Sequence, residues 1–176
     1  MGTPEFTRGP GFHRSPLRYR DPVHAAKVLT VSDSTHTGKR QDRTGPDVVT
    51  FLERHGFTVP AVAVAPDGVE PVAAALRSMA DGFHGLIVTA GGTGFSPGDL
   101  TPEGTLSVLD RMAPGLAEAM RVVDPRGRLS RGVAGTRGTS LIVNVPGSPA
   151  GAVECLGGII DVVPHALDLL GGGRPH

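Results

Sequence analysis

The chain has 176 residues, with 17 Lys and Arg against 17 Asp and Glu and only 4% aromatic side chains. That length suits one domain able to bury about two thirds of its unfolded surface. Balanced charge and scarce aromatics exclude the basic, stacking footprint of a nucleic-acid binder, and no apolar run approaches the ~20 residues of a membrane helix or a signal-peptide core. A cytoplasmic protein with no nucleic-acid and no membrane partner is expected.

Residues 1–24 are rich in Gly, Pro and Arg without periodicity, and are expected to be disordered, with Met1–Phe6 open to a vector-derived origin. The ordered domain is expected over residues 25–170. Val28 to Ser32 reads as a short buried strand. Pro46 to His55 carries Val48, Val49 and Leu52 on one helical face, and Val59 to Ala65 is again strand-like. Val69, Val72, Ala73, Leu76 and Met79 follow the three-four spacing of a packed helix, before a strand over Leu86 to Thr89. A helix starts after Thr101, a buried strand covers Ser140 to Val145, and a helical stretch begins at Pro149. Gly157-Gly158 and Pro164 should kink or divide that stretch, and residues 171–176 form a flexible tail. Cys155, the one cysteine, stands among apolar residues at helical spacing and is expected to pack as one of them. The alternation predicts a single three-layer α/β/α domain with a mostly parallel sheet.

Residues 89–103 (TAGGTGFSPGDLTPE) are the most informative segment. They sit between a strand and a helix start, so Gly91, Gly92 and Gly94 should form a turn whose backbone approaches a ligand, with the helix offering free N–H groups to an anion. Asp99 and Glu103 would repel a phosphate there unless a divalent cation or a basic side chain intervened, which makes magnesium the first cofactor to consider. The segment lacks the Lys of a P-loop and the third glycine of a dinucleotide fingerprint, so neither an ATPase nor a dehydrogenase is supported.

Ser32-Asp33, Pro66-Asp67, Gly91 to Asp99 and Pro146-Gly147-Ser148 each follow a predicted strand. Parallel strands would bring all four to one sheet edge, where open α/β folds place ligands. Any one of these aspartates is as well explained as a helix cap or turn residue; four such segments together favour a site. Arg126, Arg128, Arg131 and Arg137 read either as a solvated loop or as a source of positive charge for phosphate.

Residues 89–103 resemble the GGTG…D-x-TPE signature of the molybdopterin adenylyltransferase (Mog/MoaB) family. The likeness extends to LTVSD at 29–33, Pro66-Asp67, LSR at 129–131 with Ala134-Gly135, and LIVNVPGS at 141–148, all in the family's order over roughly residues 26–170. The resemblance implies a molybdopterin-binding-like fold and transfer of AMP from ATP to molybdopterin, with release of pyrophosphate, in molybdenum cofactor biosynthesis. It implies Asp67 and Asp99 as catalytic residues holding Mg2+ or its waters. It also implies substrate contacts from Ser32, Asp33, Gly91, Gly92, Thr93, Gly94, Thr101, Pro102, Glu103, Ser130, Arg131, Pro146, Gly147 and Ser148. Arg131 would meet phosphate, Ser148 the pterin or its phosphate, and Asp33 either the adenosine or a neighbouring cap. A homotrimer, and a molybdenum-insertion enzyme as partner, follow from the same likeness.

Two departures stand out. Gly98 precedes Asp99 where many adenylating members have arginine, and Asp124-Pro-Arg-Gly-Arg128 replaces much of the usual approach to LSR. They leave a noncatalytic or weakly active molybdopterin carrier as the rival expectation. A metal-inserting molybdotransferase is less expected, since related enzymes carry this type of domain within a longer chain.

Overall fold

A computed structural model describes residues 24–173. The outer parts of the two expected terminal segments, residues 1–23 and 174–176, lie outside the described residues.

In chain order the elements are β1 (Ala25–Val31), α1 (Asp33–His36), α2 (Thr44–Arg54), β2 (Thr58–Ala65), α3 (Val69–Ala80), β3 (Gly85–Ala90), α4 (Thr101–Leu106), β4 (Arg111–Met112), α5 (Pro114–Val122), β5 (Ala134–Arg137), β6 (Ser140–Val145), α6 (Pro149–Gly157) and α7 (Val163–Leu170). A 3-10 turn over Pro125–Leu129 separates α5 from β5. The six strands form one sheet in the order β2-β1-β3-β6-β5-β4. β2, β1, β3 and β6 run parallel, whereas β5 and β4 add antiparallel to the far edge, so the sheet is mostly parallel with helices on both faces.

The central strands explain themselves. Every residue of β3 (GLIVTA) and β6 (SLIVNV) is buried, as befits strands covered on both faces. Alternate side chains feed two cores. Leu86, Val88, Leu141 and Val143 pack with Val48 and Leu52 of α2, Leu156 of α6 and Leu167 of α7. Ile87 and Ile142 point the other way, onto Val72, Leu76 and Met79 of α3. Truncating any one of these to Ala would cost about 2–5 kcal/mol.

The chain leaves β1 through α2 on one face to reach β2, then returns through α3 on the other face to reach β3. Strand order therefore reverses between β1 and β3, which makes that gap the topological switch point. The long C-terminal stretch divides after Gly157, and α7 resumes at Val163 with Pro164 in its first turn, where a missing N–H does no harm. The sequence pattern does not predict the antiparallel edge strands or α5. Arg111–Met112 and the AGTR of β5 show no apolar alternation, and their pairing depends on β6 being already in place.

Candidate functional site

Register aligns the ends of the parallel strands: Val31 pairs with Ala65, Thr30 with Ala90, and Ala90 with Val145. The next residues of each strand converge at one edge. After β1, Ser32 caps the four-residue α1 by accepting from Thr35 N–H at 3.3 Å. Asp33 N–H donates to Asp67 Oδ2 at 2.9 Å, and Asp67 N–H donates to Asp33 Oδ1 at 3.0 Å. Each carboxylate thus holds the other's backbone and ties the loop after β1 to the loop after β2.

The glycine turn after β3 is specified sterically. Gly91 (φ +111°) and Gly92 (φ +62°) occupy backbone conformations that L side chains rarely adopt. A Cβ on Gly91 would overlap Val31 O of β1, and one on Gly92 would overlap Thr101 Oγ1. Gly91 N–H donates to Val145 O at 3.1 Å, and Thr101 N–H donates to Gly92 O at 3.1 Å. This corrects two expectations. The amide of Gly91 is committed inside the sheet, and the start of α4 is closed by Gly92 O and by Pro102, which has no N–H. The amides of Gly92, Thr93 and Gly94 carry no intramolecular hydrogen bond among the described residues. They are the turn's free donors.

Asp99 closes the outer part of this loop. Its Oδ2 accepts from Ser96 N–H at 2.8 Å, and lies 2.9 Å from where a Cβ on Gly94 would stand. Behind it, Arg131 Nε donates to Gly94 O at 2.7 Å, while the remaining guanidinium nitrogens bond Asp99 O and both carboxylate oxygens of Glu103. The exposed Phe95 ring sits 5.9 Å from the guanidinium carbon. Arg131, expected to meet phosphate directly, instead braces the glycine loop from behind. Three of its acceptors, Gly94 O, Asp99 O and Glu103, belong to that loop and the helix after it. The hydrogen bond from Arg131 holds the Glu103 carboxyl below the usual carboxylate range.

The loop after β6 packs backbone against backbone, with Gly91 Cα 3.3 Å from a Cβ position on Gly147. Thr44 Oγ1 donates to Gly147 O at 2.6 Å, linking this loop to α2. Ser148 precedes α6 with its hydroxyl free of any cap hydrogen bond, and is exposed.

One buried side chain, which sequence reading misses, ties these pieces together. Asn144 Oδ1 accepts from Val133 N–H at 3.1 Å, which fixes the amide's orientation. Its Nδ2 then donates to Thr89 Oγ1 at 2.8 Å and to Thr105 Oγ1 at 2.9 Å. Thr89 leads into the glycine turn, Thr105 lies in α4, Val133 follows the LSR segment, and Asn144 itself leads into Pro146-Gly147-Ser148. A polar residue inside an otherwise apolar strand is the available signal.

Two cavities open at this edge. One, about 390 Å³, is lined by the apolar side chains of Met120, Val123, Leu129 and Cys155 together with Thr93, Gly94, Ser130, Pro146 and Ser148. Burial pushes the Cys155 thiol up, and its Sγ reaches Met120 O at 3.5 Å, so it packs as a wall rather than a nucleophile. The other, about 360 Å³, is polar, lined by Thr30, Ser32, Thr35, Asp42, Asp67 and Gly91 among others. Gly92, Asp99 and Gly147 line both. Asp33, Thr101, Pro102, Glu103 and Arg131 line neither cavity. Thr101 and Pro102 are buried in α4.

Among the described residues no group of three or more His, Cys, Asp or Glu could enclose a metal. Asp67 and Asp99 nonetheless suit Mg2+. Each has one oxygen bonded to a backbone N–H and the other without a hydrogen bond. Mg2+ commonly takes one or two carboxylates and completes its shell with water and substrate phosphate.

Residues 27–165 match the family described as "Probable molybdopterin binding domain". The chain is 36% identical over 155 residues to a molybdopterin adenylyltransferase of Helicobacter pylori, covering 82% of this chain and 86% of that one. It is 34% identical over 157 residues to gephyrin of Dictyostelium discoideum, but spans only 22% of that protein's length. Among solved structures, the molybdopterin biosynthesis enzyme MoaB of Thermus thermophilus superposes with a TM-score of 0.81 at 46% identity, over 86% of this chain and 98% of that one. The molybdopterin biosynthesis Mog protein of Mycobacterium ulcerans gives 0.77 at 42% identity, over 86% and 99%.

Proposed function

The chain belongs to the molybdopterin-binding-domain family, and on that premise we propose that it transfers AMP from ATP to the terminal phosphate of molybdopterin, releasing pyrophosphate, in molybdenum cofactor biosynthesis. The observation that carries this reading is the pair of cavities meeting at Gly92, Asp99 and Gly147. A transfer between two bound molecules needs two pockets that share one wall, so that the reacting phosphates touch. Ser148 and the apolar lining of the first cavity suit the pterin, and the polar cavity suits the nucleotide.

A phosphate monoester is already ionised near neutral pH, so no strong general base is required, and positioning with charge neutralisation supplies most of the rate. The free amides of Gly92, Thr93 and Gly94, residues that line these cavities, are the donors available to the phosphates. Asp67 and Asp99 would hold Mg2+ there, which when bound neutralises phosphate charge and makes the α-phosphorus more open to attack. The reciprocal bonds between Asp33 and Asp67, and the Arg131 brace, keep both carboxylates in place.

In this reading residues 25–170 form the molybdopterin-binding unit, working in the cytoplasm as a homotrimer and passing its product to a molybdenum-insertion enzyme. Incubation with molybdopterin, ATP and magnesium, with pterin-AMP and pyrophosphate both quantified, tests it directly; absence of both products rejects it. One observation favours the rival noncatalytic carrier. Gly98 puts no cation beside Asp99, and Arg131 is committed to the loop, so neither supplies free charge at the glycine turn. Molybdopterin binding without pyrophosphate release would identify that carrier.

A further inference from the structure

The segment between α1 and α2, residues 37–43 (TGKRQDR), supplies Arg40, Gln41, Asp42 and Arg43 to the wall of the polar cavity. Its backbone is anchored. Arg40 N–H donates to Ser34 O at 3.0 Å, and Asp42 accepts from Thr30 Oγ1 at 2.6 Å and from Gly45 N–H at 2.9 Å. Arg40 and Arg43 flank that anchored aspartate; both are exposed, and neither guanidinium has a hydrogen bond or ion pair among the described residues. The other arginine near the site differs. Arg126 lines the apolar cavity but is paired with Asp124 at 3.0 Å. Among the described residues lining the two cavities, uncommitted guanidiniums therefore stand only on the polar side.

We propose that Arg40 and Arg43 bind the β- and γ-phosphates of ATP, the part that leaves as pyrophosphate. The inference rests on the adenylyltransferase reading and adds to it a direction. An oxygen of the pterin phosphate bonds to the α-phosphorus, and the bond from that phosphorus to the oxygen bridging to the β-phosphate breaks. Pyrophosphate leaves with that oxygen and its electron pair. Attacking and leaving oxygens lie roughly in line, so a nucleophile arriving from the apolar cavity sends the leaving group away from it, into the polar one. There the two guanidiniums, each a fork of five donors, meet the charge that grows on pyrophosphate. Charge balance agrees. Asp42, Asp67 and Asp99 line the same cavity, so a polyphosphate enters only with cations to offset them.

The test compares Arg40→Gln, Arg43→Gln and the double variant with Lys39→Gln, an exposed cation of the same segment that does not line the cavity. Calorimetry uses magnesium pyrophosphate, AMP and molybdopterin as separate probes, with melting curves as the control for folding. Each arginine variant should bind pyrophosphate about tenfold more weakly and show a raised KM for ATP. AMP and molybdopterin affinities should stay unchanged, and Lys39→Gln should match the wild type. Unchanged pyrophosphate binding in both arginine variants, an equal loss for AMP, or an equal loss in Lys39→Gln would overturn the assignment. A wild-type protein that does not bind pyrophosphate overturns it too. A wild-type protein that binds pyrophosphate through these arginines yet forms no pterin-AMP instead rejects the adenylyltransferase reading, so the two failures are distinguishable.

Discussion

Asp33 and Asp67, 34 residues apart in sequence, each accept the other's backbone N–H, at 2.9 and 3.0 Å. The pair joins the ends of β1 and β2 and leaves Asp67 Oδ1 directed toward the glycine turn, 3.6 Å from a Cβ position on Gly92. Asp67→Asn can keep the acceptor for Asp33 N–H while losing the charge suited to Mg2+. Asp99→Asn does the same beside Ser96. Both variants should fold normally and lose transfer by about a hundredfold, with a raised magnesium requirement. Wild-type rates in a folded Asp99→Asn protein, or unchanged magnesium dependence in Asp67→Asn, would reduce that residue to a turn former.

The Arg131–Glu103 pair predicts an acid-sensitive brace. Glu103 titrates below its ordinary value of 4.5 because Arg131 hydrogen-bonds its charged form. A depressed carboxylate contributes stability that is complete above its unfolded pKa and is lost as pH falls through the folded one. Wild-type stability should therefore decline below about pH 4.5 more steeply than that of Glu103→Gln, and the two curves should converge in stronger acid. The pair is partly exposed, so the difference should be small and weakened by salt. Urea unfolding across this pH range measures it; parallel curves would contradict the brace.

Asn144 should matter more for stability than the exposed polar residues lining the cavities, such as Ser148 and Arg43. Asn144→Ala leaves Val133 N–H without its acceptor and two buried threonine hydroxyls without their donor, at a cost of about 3 kcal/mol. Because the amide links the segments that build the site, transfer should fall in step. Urea unfolding within about 1 kcal/mol of the wild type would show that water replaces the network.

The parallel part of the sheet is legible in the sequence because its strands are apolar runs bounded by turn residues, and because β3 and β6 are buried on both faces. Convergence of four loops at one edge follows from parallel strands alone. Side-chain assignments are less legible. Arg131 reads in sequence as a phosphate ligand, yet its partners are two carbonyls and a carboxylate that only the folded loop brings together. Arg40, Asp42 and Arg43 lie in a stretch without periodicity, and their place beside Asp67 depends on how α1 turns back toward β2.

The loop after β6 allocates substrates. Ser148 lines the apolar cavity and not the polar one, with its hydroxyl uncommitted to the α6 cap. Ser148→Ala should weaken molybdopterin binding by about 1 kcal/mol, roughly fivefold, before altering nucleotide binding. Calorimetry showing the reverse order of effects would exchange the two cavities' ligands.

The final prediction is a homotrimer. Its number comes from the family likeness, since a dimer would satisfy the same burial argument. The structure supplies a reason to associate. β2 is an edge strand, TVPAVAVA, with Val62 53% and Val64 36% exposed and no charged residue to protect it. Pro60 removes one donor from that edge, so side-chain burial rather than an unbroken added ladder should dominate any contact made there. Closed cyclic symmetry gives each subunit its own copy of the site, so ligand should saturate at one pterin per chain. Light scattering at micromolar concentration should give three times the chain mass, and Val62→Lys should lower it if β2 lies in the contact. A monomer with and without ligand would remove the trimer, whereas a trimer unaffected by Val62→Lys would move the contact to another face.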